Sequence, residues 1–318
     1  MKLAYEPFDV SGVRTYPLAS RASKARHEAF ARPWEPATGL AGWLESLPDF
    51  LAAADFRAVV AAISRARAAD RAIIWGLGAH VVKTGLAPVL IDLMERGFVS
   101  AIAMNGAGLI HDYEIAIGGA TSEDVDTALG EGRFGMAEET GVGLNRAMAE
   151  GVGRGLGLGQ SVVSALKSRT PPPPFAHVSL LAAAGRLDIP VTGHVAVGTD
   201  ITHMHPLASG ASTGEGSLRD FRYFTSFVAS LAGGVYLNCG SAVVLPEVFL
   251  KAVSLVRNQG ISIDGLTTVN LDFLRSYRAD ANVVRRPVAG VGKGYSLTGH
   301  HELMLPLLAA ALKTAPKQ

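Results

Sequence analysis

Arg71 to Gly119, RAIIWGLGAHVVKTGLAPVLIDLMERGFVSAIAMNGAGLIHDYEIAIGG, holds two apolar runs that each end in a glycine turn, with a helical pattern between them. Ala72 to Trp75 stops at Gly76-Leu77-Gly78, and Val99 to Met104 stops at Asn105-Gly106-Ala107-Gly108. Short, wholly apolar runs of this kind belong to strands buried on both faces, as in parallel sheets. Between them Val89, Leu90, Leu93 and Met94 recur at helical spacing, Asp92, Glu95 and Arg96 fall on the other side, and Gly97 supplies the stop. A helical crossover makes the two strands parallel. In an open parallel sheet the ligand lies beyond the carboxyl ends of the strands, where glycines let backbone N–H groups approach a phosphate. The expected fold is a Rossmann-like three-layer α/β sheet with both glycine turns at its ligand edge.

The rest of the chain fits that class. Its 318 residues suffice for one large α/β domain, and the 36 glycines recur at the ends of apolar runs. With 29 basic against 28 acidic residues there is no global field to attract nucleic acid or an anionic membrane, so a small-molecule ligand is expected. No apolar leader or stretch of about 20 uncharged residues occurs, which predicts a cytoplasmic protein. Cys239 is the only cysteine, which excludes an intramolecular disulfide and a thiolate metal cluster.

Residues 1 to 70 read as an N-terminal arm followed by covering helices, and residues 71 to 318 as the sheet domain. After the first two strands, Thr121 or Ser122 reads as a helix N-cap. Gly130-Glu-Gly-Arg-Phe-Gly135 matches a dinucleotide fingerprint letter for letter, but a charged helix precedes it rather than a strand, so the match is set aside. Further strands are expected at Ile189 to Ala196, Gly233 to Asn238 and Ile261 to Leu271. Helices are expected at Ser161 to Lys167, Phe175 to Leu187, Leu218 to Leu231, Glu247 to Val256 and Leu303 to Lys313.

Seven of nine histidines (His80, His111, His194, His203, His205, His300 and His301) fall in or beside strand-end loops. A metal site would need a recognisable ligand spacing, and none is present, so proton transfer near neutral pH is the stronger expectation and no metal is predicted. There is no Gly-x-Ser-x-Gly elbow and no P-loop. Lys293, flanked by glycines in Gly290-Val-Gly-Lys-Gly294, reads either as an imine-forming nucleophile or as a solvated loop lysine. Asp112 and Asp200 read either as ribose or amine ligands or as turn formers.

Taken in order, these motifs resemble deoxyhypusine synthase, homospermidine synthase and their prokaryotic homologues. The family's Ser-Asn-Leu-Ile-Ser-Ser-Gly loop is replaced by Gly76-Leu-Gly-Ala-His-Val-Val-Lys-Thr-Gly85, and its Thr-Thr-Ala-Gly-Gly turn by Met104-Asn-Gly-Ala-Gly108. Its Ile-Pro-Val strand matches Ile189-Pro190-Val191, its glycine-rich strand end matches Asn238-Cys-Gly-Ser241, and its Asn-Thr-Ala-Gln matches Thr267-Thr-Val-Asn270. Its Phe-Pro-Leu-Leu helix matches Leu305-Pro-Leu-Leu308, and only Val291-Gly292-Lys293 approaches its Trp-Gly-Lys.

The resemblance implies a Rossmann-like NAD-binding domain of the deoxyhypusine synthase type in a homotetramer. It implies a cytoplasmic transferase that moves an aminoalkyl group from a polyamine-like amine. Lys293, His300 and His111 would then be catalytic. Gly76, Gly78, Asn105, Gly106, Gly108, Asp112, Gly240, Ser241 and Thr268 would hold NAD. Two other functions stay open at this stage: a nucleotide-binding protein without transferase activity, and a metal-dependent hydrolase or lyase built on the histidines.

Overall fold

The computed structural model describes residues 5–314. Six strands, β1 (Ile73–Leu77), β2 (Ala101–Asn105), β3 (Val191–His194), β4 (Val235–Cys239), β5 (Thr267–Asp272) and β6 (Lys293–Thr298), pair in parallel in the order β3-β2-β1-β4-β5-β6. The helices are α1 (Gly39–Ser46), α2 (Leu51–Ala68), α3 (Ala79–Lys83), α4 (Ala87–Glu95), α5 (Gly106–Gly118), α6 (Val125–Gly130) and α7 (Glu138–Gly153). They continue with α8 (Leu158–Ser168), α9 (Leu180–Leu187), α10 (Gly210–Ala229), α11 (Val244–Asn258), α12 (Tyr277–Ala279) and α13 (His301–Thr314). The result is a three-layer, Rossmann-like α/β fold.

Strand alternation makes the layers. Ile73, Trp75 and Leu77 enter one core while Ile74 enters the other, and Ile102 and Met104 oppose Ala101 and Ala103 in the same way. The first core is completed by Ile63 of α2, Leu90 of α4, Leu109 of α5 and Leu308 of α13. Phe224 and Val228 of α10 and Phe249 and Val253 of α11 complete the second. Trp75 is tolerated inside because its Nε1–H donates to the Phe98 carbonyl at 2.9 Å. Ile74 is fully buried, so Ile74→Ala should cost about 2–5 kcal/mol.

Several sequence expectations are corrected. The crossover after β1 is two helices, α3 and α4, parted by Gly85 in a left-handed conformation (φ 76°). Asn105-Gly106-Ala107-Gly108 is no loop: Asn105 ends β2 and caps α5 directly, its side chain accepting from Gly108 N–H at 2.9 Å. Neither Thr121 nor Ser122 caps a helix, since α6 starts after Asp124. The helix α10 begins eight residues earlier than its apolar stripe because Ser209 caps it. The strand expected from Ile261 starts only at Thr267, after a turn at Gly265 (φ 75°). The stretch before α13 contains the sixth strand, β6, an edge strand with one buried residue, Leu297, and so a blurred apolar signal. Residues 5–38 are short turns and extended chain with no buried residue, while α1 and α2 lie against α13 and α2 also crosses β1, β4 and β6. Among the described residues no helix is long and apolar enough to cross a membrane.

Candidate functional site

Order β3-β2-β1-β4-β5-β6 reverses direction between β1 and β4, and the carboxyl ends of these strands form the crevice where ligands of this architecture bind. Most of the glycines there serve packing. Gly76 lies inside β1 under the Tyr236 ring, where an added Cβ would stand 2.6 Å from the hydroxyl. Gly78 donates its N–H to the Cys239 carbonyl at 2.8 Å and abuts the Gly240 backbone so closely that no side chain fits. Gly240 is left-handed (φ 71°) and faces the imidazole of His301.

The other expected cofactor residues are similarly engaged. Asp112 is fully buried, and its carboxylate accepts from Ser179 Oγ (2.6 Å), Leu180 N–H (2.8 Å) and Leu181 N–H (2.8 Å) at the start of α9. In this geometry Asp112 caps the start of α9 with both carboxylate oxygens engaged. Thr268 donates to the Val283 carbonyl at 2.7 Å inside the protein, near the amino end of β5. Ser241 Oγ accepts from Leu245 N–H at 3.2 Å. Gly108 N–H is taken by Asn105. Gly106 alone faces an anion, the carboxylate of Asp200, whose Oδ2 is buried without a hydrogen-bond partner among the described residues. Burial raises the Asp200 carboxyl above the usual range, against the pull of His203.

Lys293 is placed by β6 at the opposite end of the sheet. It is the first residue of the strand, paired with Thr267, the first residue of β5. Five residue steps along the strand, about 17 Å, separate it from Thr298 and the carboxyl edge. Its flanking glycines answer to close packing: Gly292 abuts the Leu266 carbonyl and Gly294 the Val284 carbonyl.

The histidines do not converge on one centre. Among the described residues no three His, Cys, Asp or Glu side chains come together as a metal would need. His203 receives the Asp200 N–H at 3.3 Å, and His194 is held down to about 3 by burial. His300 and His80 flank the exposed ring of Phe273 at centroid distances of 6.2 and 5.8 Å. His301 beside them is fully buried, 3.6 Å from Asp272. Burial, aided by Asp272, pushes the Cys239 thiol far up, so it is inert.

His111 has a different setting. It lines a cleft of about 810 Å³ that runs along α5 to the start of α7 and is flanked by the 121–135 segment and Asp200. Its Nδ1 lies 2.6 Å from Thr121 Oγ1, which donates in turn to Glu114 Oε2, while Thr140 donates to the other Glu114 oxygen at 2.9 Å. Because the Thr121 proton goes to the carboxylate, its oxygen is left to accept Nδ1–H. That assigns the neutral tautomer with a free lone pair on Nε2. Burial holds the His111 pKa below the usual histidine range, opposed by Glu114 and assisted by Lys83. The imidazole is therefore an oriented, neutral proton acceptor at neutral pH.

The charge of the cleft is one-sided. Glu114, Glu123, Glu139 and Asp200 line it against Lys83. Glu123 also receives Gly135 N–H at 2.8 Å, and Phe134 and Gly135, the end of the match that lacked a strand, form part of the cleft wall. Sequence reasoning named His111 but not its supports; the His111-x-x-Glu114 spacing on one helix was the available signal, whereas Thr121 and Thr140 arrive from elsewhere in the chain.

No family model matches the chain, and no curated protein matches it in sequence. Solved structures do match. A putative deoxyhypusine synthase from Entamoeba histolytica shares 11% identity over 90% of this chain and 98% of its own, with a TM-score of 0.53. A LOR/SDH protein from Methanococcus maripaludis shares 14% identity over 83% and 70%, with a TM-score of 0.52. AgrE, in its ternary complex with ornithine and NAD+, shares 17% identity over 81% and 32%, with a TM-score of 0.51. The chain spans about a third of the length of AgrE and of the cyanobacterial arginine dihydrolase ArgZ. At these identities the likeness establishes the fold.

Proposed function

We propose that this protein is an NAD-using enzyme that oxidises a small cationic amine in the cleft beside α5, with His111 as its base. The observation that carries the reading is a neutral, oriented histidine in a cleft whose other charges are four carboxylates and one lysine. Carboxylates repel phosphates and attract ammonium groups, so the cleft suits the substrate and the cofactor belongs at the adjoining sheet edge.

A fit for NAD is supported by Gly106. The Asp200 carboxyl lies against Gly106 at the amino end of α5, and its buried Oδ2 lacks a partner, at a helix terminus suited to an anion. With Asp200 turned aside, Gly106 and Ala107 would present N–H groups to a cofactor phosphate. The bound NAD would supply the acceptor for a hydride from the carbon next to nitrogen. The chain's own part is proton transfer: Nε2 of His111 takes a proton from the ammonium, freeing the nitrogen lone pair that becomes the second bond of a C=N product. Moving that proton from an ordinary ammonium (pKa ≈ 10.4) to a histidine below its usual 6.5 is uphill by more than about 5 kcal/mol. Turnover should therefore climb with pH as free amine accumulates.

Aminoalkyl transfer through an imine on Lys293 is the weaker form of this proposal, because the lysine stands a strand length from the edge where His111 and His300 lie. The same reading favours an oligomer, a homotetramer by family resemblance: Tyr5, Phe8, Val10, Val13, Tyr16 and Leu18 of the amino-terminal arm are all exposed.

Calorimetric titration with NAD, followed by NADH absorbance with a panel of small mono- and diamines, tests the reading. Binding and turnover are expected, with turnover lost but NAD binding kept in His111→Gln. In Gly106→Val, NAD binding should weaken. NAD binding without turnover of any amine would favour the alternative of a nucleotide-binding protein, and no binding at all would refute the proposal.

A further inference from the structure

Tyr113 follows His111 by two residues, so it projects about 200° further round α5 and faces away from the His111 cleft. Its ring is buried, 5% exposed. The residue borders a second cavity of about 290 Å³ between α5, α7 and the end of α8. Gly143 of α7 passes the hydroxyl so closely that any side chain there would collide with it. This glycine is what gives the phenol its place.

Arg146, Arg154 and Arg169 line the same cavity, together with Glu150 and Ser168. Arg146 and Glu150 of α7 and Arg154, its C-cap, follow one another at four-residue steps, a spacing that ordinarily pairs side chains along a helix surface. Here none of the three guanidinium groups makes an ion pair or hydrogen bond among the described residues, although those of Arg57, Arg96, Arg186 and Arg219 all do. Three guanidinium groups against one carboxylate concentrate positive charge in a concave site, while the whole chain carries a net charge of only +1. Among the described residues Glu150 is the one carboxylate that lines the cavity, and it pairs with none of the three.

We infer that this cavity binds a small phosphate or diphosphate group. Guanidinium forks match phosphate oxygens in pairs, which lysines or scattered surface charges do not. The Tyr113 hydroxyl supplies a further neutral donor from the floor. At about 290 Å³ the cavity falls just under the roughly 300–1,000 Å³ of sites that enclose a drug-sized ligand. It suits the phosphate end of a metabolite or the free ion, not a whole dinucleotide. The site is separate from the His111 cleft, and the inference does not depend on the function proposed for that cleft. The two sites share α5 and α7, since Thr140 faces one and Gly143 the other.

Calorimetry on the full chain with inorganic phosphate, pyrophosphate and ribose 5-phosphate tests the site. One anion per chain is expected, binding more weakly as salt is raised. A preference for ribose 5-phosphate over the free ions identifies an ester as the source, and the reverse identifies the free ion. Arg146→Gln and Arg169→Gln, both at exposed positions that should leave the fold intact, should each weaken binding by about tenfold. Glu150→Gln should tighten it, and saturating NAD should leave it unchanged. No heat with any of the three anions, or unaltered affinity in both arginine variants, would overturn the inference.

Discussion

Thr121→Val isolates the link that orients His111. Valine has nearly the shape of threonine but neither donates to Glu114 nor accepts from Nδ1. Glu114 keeps Thr140 at 2.9 Å, and the His111 and Glu114 side chains are each 18% exposed. Water can replace part of what is lost, so the stability cost should be only about 1 kcal/mol. The larger effect is electrostatic. His111 Nδ1 now stands 3.9 Å from Glu114 Oε2 with the hydroxyl between them. Without the hydroxyl the two can close to about 2.8 Å. At an effective dielectric constant of about 20 the attraction grows from roughly 4.3 to roughly 5.9 kcal/mol, which raises the His111 pKa by about one unit. The protonated fraction of His111 at neutral pH therefore rises in the variant. NMR titration of the His111 ring carbons reads this directly. A pKa that stays put or falls in the variant would refute the Thr121 bridge as the element that keeps Glu114 at a distance from the ring.

Asp112→Ala removes the acceptor for three donors at the start of α9, so denaturant unfolding should report a loss of about 3–5 kcal/mol. A stable variant that had merely lost NAD would restore a ribose role. Burial pushes Asp220 up to about 7 against the N–H groups of Gly159, Gly193 and Leu158 that pull it down. Since the folded pKa lies above the unfolded value of 3.8, the native state binds this proton more tightly. Its contribution favours folding below pH 4 and declines as pH rises from about 4 to about 7, by at most about 4 kcal/mol. Asp220→Asn should flatten that slope in thermal melts run across the window. Lys293→Ala should leave both amine turnover and NAD binding unchanged, and trapping of an adduct on Lys293 with borohydride would reverse that expectation.

The sequence exposed what burial writes into it. β1 and β2 were legible because residues such as Ile73, Ile74 and Ile102 must be apolar on both faces, and Gly97 ends its helix left-handed (φ 76°). Edge strand β6 was not, because Lys293, Gly294 and Thr298 answer to one neighbour and to solvent. Glycine was the most ambiguous letter. Gly76, Gly78, Gly292 and Gly294 look like a ligand cradle in one dimension, yet each yields to the close approach of another part of the chain. Asp112 shows the same limit, since its partners Ser179 to Leu181 lie 67 to 69 residues away. His111 could be named from its place after a strand. The Thr121 and Thr140 hydroxyls that fix its proton depend on how the segment after α5 and the first turn of α7 return to α5, which no local spacing encodes.

The interlocked turns at Gly78 and Gly240 bear on how the chain reaches this state. Each half of the sheet, β3-β2-β1 and β4-β5-β6, is drawn from its own continuous stretch of chain, and the β1–β4 ladder is the seam between them. Along that seam Ile73 pairs with Val235, a separation of 162 residues (235 minus 73). Closing so long a loop pays its entropy before any contact repays it. The two halves can organise as separate cooperative units, with the seam joining last. The crevice between the carboxyl ends of β1 and β4 is therefore complete only once this seam has closed.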